Sequence, residues 1–182
     1  MDALEAVETE LNDATERARK LVEAVDGRRF TVRPDPMRWS AAECLAHLSL
    51  SSESFLPIIR KAIDDARRAG GGAGREPKMD LLGRALRWFL EPPVRTRVKT
   101  AAPFVPRAVR AKAEALGEFT SLQAQLVALL REARGLDVGR IRVVSPFDRR
   151  VRYNLYSAFR IVAAHERRHL WQAEQAVAAL AA

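Results

Sequence analysis

Three histidines, His47, His165 and His169, are all that this chain of 182 residues contains, and histidine readily offers a neutral nitrogen to a divalent metal near pH 7. His165 and His169 stand four residues apart. On a helix that spacing sends both imidazoles from one face, one turn apart, close enough to share an ion. His47, between Leu45 and Leu48, brings the third imidazole from a different helical segment. Three neutral imidazoles leave at least one coordination position open to water, which is the arrangement of a catalytic metal site; a closed structural site normally takes four protein ligands. The competing reading is three ordinary histidines, each satisfied by local hydrogen bonds.

Several neighbours share these faces. Gln172 lies three residues after His169 and seven after His165, placed to orient a bound water or substrate. Glu43 precedes His47 by one turn and has two readings, as acceptor for its second ring N–H or as a helix-capping partner. Cys44, the only cysteine, either approaches the metal or packs as a small hydrophobe. Ser51 and Ser54 continue the His47 face, and Glu166 reads as a surface or interhelix ion-pair residue.

The elements that must position these side chains follow from apolar periodicity. Leu4, Val7, Leu11, Ala14, Ala18, Leu21, Val22 and Val25 mark one helix face over residues 2–26, with Gly27 as a stop. Two prolines, Pro34 and Pro36, make the next stretch a loop, with Trp39 as its anchor. Ser40 and Glu43 form a capping-box pattern, so a second helix runs from there to about Arg68, with Pro57 as a potential kink. The glycine-rich run 70–74 ends it and reads as a mobile link.

A shorter helix is expected over 79–90, an extended connector over 92–106, and a third long helix over 107–134, closed by Gly135. No strand is assigned to the apolar stretch 141–144. The last helix is expected over 153–180. The fold expected is all-α, one domain over 1–182: a four-helix bundle with an extra short helix between the second and third long helices.

Hydrophobic residues at 48% and charged residues at 30% describe a globular chain with a core. No run is apolar enough to span a bilayer, no secretory pattern opens the chain, and a lone cysteine suits a reducing compartment; the expectation is a cytoplasmic protein with no membrane partner. The net charge of +8 raises the possibility of a polyanion partner. The arginines, however, are spread through every segment beside acidic residues, as Glu132 with Arg131 and Arg134, so no nucleic-acid partner is expected.

The segment Trp39-Ser40-Ala41-Ala42-Glu43-Cys44-Leu45-Ala46-His47-Leu48, followed by His165-Glu166-Arg167-Arg168-His169-Leu170-Trp171-Gln172, resembles the DinB-like superfamily of bacterial four-helix bundles. The resemblance covers most of the chain in order and spacing. It implies an up-down-down-up bundle, often a homodimer, with His47, His165 and His169 binding nickel or zinc. It further implies a metal-dependent hydrolase or a thiol-dependent S-transferase acting on a small-molecule substrate. The activity expected is therefore hydrolysis, or transfer of a low-molecular-weight thiol, by a metal-activated water or thiolate. The alternative is a noncatalytic metal- or ligand-binding bundle for stress response.

Overall fold

A computed structural model describes residues 2–72, 74–93 and 99–181. Ala73 of the glycine-rich run and residues 94–98 of the connector lie outside the described residues. Six α-helices carry most of the chain: α1 (Ala3–Ala24), α2 (Gly27–Thr31), α3 (Ala41–Arg68), α4 (Leu81–Leu90), α5 (Lys112–Glu132) and α6 (Leu155–Ala179). Two short strands, β1 (Arg142–Val144) and β2 (Arg152–Asn154), form an antiparallel pair just before α6.

The capping box at α3 forms as the sequence predicts. The Glu43 amide donates to the Ser40 hydroxyl at 3.2 Å, and the Ser40 amide donates to the Glu43 carboxylate at 2.9 Å. The helix then runs through Pro57 to Arg68, and Gly70 follows at φ +70°, a backbone conformation that glycine adopts without a Cβ clash. Gly27, expected as a stop, instead opens α2. Asp26 caps that helix by accepting from the Arg29 amide at 2.9 Å, and the single turn exists to bury Phe30.

Two other boundaries differ from expectation. The helix expected from 107 starts at Lys112, leaving Val109 exposed. The stretch 141–144, given no strand, pairs with 152–154, whose Tyr153 was expected inside the last helix. Val143 faces Tyr153 across the ladder and both are buried, while Asn154 caps α6 by accepting from the Ser157 amide at 2.8 Å. The cap, not the apolar pattern, decides where α6 begins.

Packing follows the stripes. α3 lies against α5 and α6, α1 also lies against α5 and α6, and α4 lies on α6. One apolar cluster gathers Phe55, Ile59, Ile63, Leu126, Leu130, Tyr153 and Phe159; a second gathers Phe30, Leu45, Leu48, Phe119 and Leu170. Several arginines reach across helix interfaces rather than to the acidic residues beside them in sequence. Arg131 and Arg134 bind Glu8 of α1, Arg60 and Arg67 of α3 bind Glu132, and Arg167 joins Glu10 to Glu91.

α4 is seated by Asp80, which caps the helix through the Gly83 amide at 2.9 Å and also accepts from Arg142 and the Asn154 amide. Gly83 is where α4 touches α6: a Cβ there would fall inside the van der Waals surface of Ser157. Gly83→Ala is expected to destabilise the fold by about 1–3 kcal/mol, despite alanine's better helix propensity. Chemical denaturation checks it, and a stabilised variant would mean that α4 shifts freely on α6.

Candidate metal centre

His47 on α3 and His165 and His169 on α6 meet in the interior, at 3%, 8% and 8% relative exposure. One nitrogen from each lies within 4.8 Å of the others, and the ring centroids stand 5.0, 4.3 and 4.5 Å apart. The i, i+4 spacing brings His165 and His169 together, and α3–α6 packing brings His47 to them.

The protonation of one ring is fixed by its partner. His47 Nδ1 lies 2.7 Å from the Phe104 carbonyl oxygen, which can only accept, so the proton sits on Nδ1 and Nε2 carries a free lone pair. That lone pair faces His165 Nε2 at 3.2 Å. Two imidazole nitrogens bound to one tetrahedral zinc lie about 3.3 Å apart, from ordinary Zn–N lengths and the tetrahedral angle. His169 Nδ1 is buried with no hydrogen-bond partner. Nitrogens at ligand spacing beside an orphaned buried nitrogen fit a divalent cation.

Burial also sets the charge state. Desolvation pulls the His47 pKa down, opposed only by the Phe104 hydrogen bond. Desolvation, with the neighbouring histidines and Arg168 adding repulsion, holds His165 and His169 well below the usual imidazole value. All three rings are neutral at pH 7, as metal ligands must be.

Aromatic rings wall the cluster. Trp39, expected as a loop anchor, packs its ring 5.0 Å from His47 and 6.1 Å from His169. Phe147 lies 5.7 Å from His165 and stacks 4.5 Å from Phe104. The sequence reading missed Phe104 and Phe147. A backbone carbonyl carries no sequence signal, and both residues sit in segments read as connector or turn.

The neighbours named from sequence separate clearly. Gln172 reaches the His169 ring and favours its charged form. Glu43 does not meet His47: its carboxylate binds the Ser40 cap and Arg33, and the Phe104 carbonyl takes the His47 proton. Ser51 and Ser54 donate to the His47 and Leu50 carbonyls of their own helix at 2.8 and 3.0 Å, so neither supplies a free hydroxyl to the cluster.

Cys44 is fully buried among Leu45, Leu48 and Phe119, and desolvation pushes its thiol up to about 12. Cys44 thus packs as a small apolar side chain. The native protein is expected to be silent toward an aromatic disulfide reagent and to release one thiol per chain only on unfolding. Fast labelling of the native state would overturn that assignment.

Glu166 corrects the sequence reading. It is 1% exposed rather than on the surface, and neither carboxylate oxygen has a well-formed hydrogen bond. It faces Gln123 of α5, itself buried with both amide atoms unpaired. Burial raises the Glu166 pKa to about 8.

A largely helical protein with three buried histidines contributed by two packed helices, able to hold a metal ion, is the class that fold and site define. The chain matches the family model of the DinB superfamily over residues 10–173 and belongs to that superfamily. No curated protein and no solved structure gives a significant match.

Proposed function

We propose that this chain is a divalent-metal enzyme of small-molecule chemistry, with His47, His165 and His169 as ligands to nickel or zinc. The carrying observation is the 3.2 Å approach of two Nε2 atoms, one of them deprotonated by the Phe104 hydrogen bond. A bound divalent ion would lower the pKa of a water or thiol, supplying a nucleophile for hydrolysis or for thiol transfer to an electrophile.

The chain's own residues prepare that chemistry. The Phe104 carbonyl holds His47 in one tautomer. Trp39 and Phe147 set apolar rings against the imidazoles, which lowers the local dielectric and strengthens charge interactions there. The architecture belonging to this reading is one domain over 1–182, an up-down-down-up four-helix bundle with α4 added. Pairwise packing of α1 and α3 against α5 and α6 supports it. A cytoplasmic homodimer without nucleic-acid or membrane partners completes the reading; among the described residues no helix is long and apolar enough to cross a membrane.

The test is turnover by metal-loaded protein on a panel of esters and amides, and on low-molecular-weight thiols paired with electrophiles. Turnover is expected on one panel and lost in His47→Ala. The depth of the histidines favours a second reading, a noncatalytic metal- or ligand-binding bundle. Metal-dependent melting with no turnover on either panel selects it.

A further inference from the structure

A groove runs along the β1–β2 hairpin, whose turn also carries a ring that touches the histidine cluster. A cavity of about 440 Å³ opens along the β1–β2 hairpin, lined by Ile58 of α3 and by Val144, Ser145, Pro146, Arg149 and Arg152. Its cations differ from most arginines of the helices. Arg60, Arg67, Arg131, Arg134 and Arg167 each grip a carboxylate across a helix interface. Arg149 and Arg152 are exposed, and no carboxylate among the described residues pairs with either. Asp148, the acidic residue nearest in sequence, accepts from the Arg150 amide at 2.9 Å. Two arginines without a carboxylate partner along one groove attract carboxylate or phosphate, which guanidiniums bind with paired N–H donors.

The position gives that attraction a purpose. Pro146 lines the groove, and the next residue, Phe147, turns its ring to within 5.7 Å of the His165 ring. The Phe147 amide donates to the Ser145 hydroxyl at 3.3 Å, holding this turn in place, and the residue remains 38% exposed. Phe147 thus follows a groove residue in the chain and sets its ring against the histidine cluster. We propose that Arg149 and Arg152 bind the anionic end of an acidic small-molecule substrate whose reacting end passes Phe147 to the metal. This rests on the metal reading above, but the groove itself does not require the metal.

Isothermal titration of cobalt-loaded protein with glutathione, a thiol bearing two carboxylates, and with its diethyl ester tests the proposal. The diacid is expected to bind about tenfold more tightly than the ester, with a preference that weakens in salt. In Arg149→Ala/Arg152→Ala the diacid should fall to the affinity of the ester, and the ester should be unchanged. Equal affinities in the wild type, or a preference that survives in the double variant, would overturn it. Glutarate, which has no thiol, separates the two readings on metal-free protein. Arginine-dependent glutarate binding in a protein that takes up no nickel, zinc or cobalt leaves the groove standing and removes the metal reading. Cobalt uptake with no diacid preference removes the groove alone.

Discussion

Untagged protein purified in nickel- or zinc-containing buffer is expected to carry about one ion per chain, and His165→Ala/His169→Ala to carry less than about a tenth of that. Two of three ligands are lost in that variant. The remaining ring, His47, keeps its Nδ1 proton on the Phe104 carbonyl and offers one lone pair, too little to hold an ion against buffer. Elemental analysis reads the content, and thermal melting gives an independent measure. Free metal at a hundred times its dissociation constant stabilises the folded state by about 2.7 kcal/mol, or about 5–10 °C for a chain of this size. The double variant should show no such shift. Equal metal content in both proteins, or none in the wild type after reconstitution, would leave the imidazoles as packed side chains with His165 donating to His47 Nε2.

Glu166→Gln is expected to stabilise the metal-free protein at pH 8 and to change it little at pH 5. The folded-state pKa of about 8 lies above the ordinary 4.5, so between those values the native state holds a proton that the unfolded chain has released. Stability from this group is therefore full below pH 4.5 and declines as pH rises toward 8. The limiting loss at pH 8 is roughly 4 kcal/mol, and local relaxation reduces it to about 2–4 kcal/mol. At pH 5 it is about 1 kcal/mol or less. Glutamine has the same shape, cannot ionise, and can exchange amide hydrogen bonds with the unpaired Gln123. Melting at both pH values measures the difference. A variant destabilised at pH 8 would mean that Glu166 is ionised and partnered in the native state.

Much of the site was legible in one dimension because helices translate spacing into facing. His165 and His169 share a face by the 3.6-residue repeat alone, and the stripe Leu45, Leu48, Phe55, Ile59 and Ile63 put His47 near the core. Ser40 with Glu43 set the start of α3 for a local reason, two side chains exchanging hydrogen bonds within one turn. The hairpin was hidden because three-residue strands have no period to detect, and Tyr153 fits a helical stripe as well as a strand. Glu166 was misread because its flanking arginines suggest a surface; Arg167 in fact turns to Glu10 and Glu91, and Arg168 to the Phe89 carbonyl.

Residue order alone therefore determined the helical class, the capping of α3, membership in the DinB superfamily and which three imidazoles could share a metal ion, because each depends on neighbours within a few positions or on a motif. Tertiary structure alone decided that His47 meets the α6 pair, that the Phe104 carbonyl sets its tautomer, that Cys44 and Glu43 stand apart from the cluster, and that Glu166 is buried. Each of these depends on which helix faces pack together, and that is settled by the summed burial of apolar surface across the whole chain rather than by any local spacing.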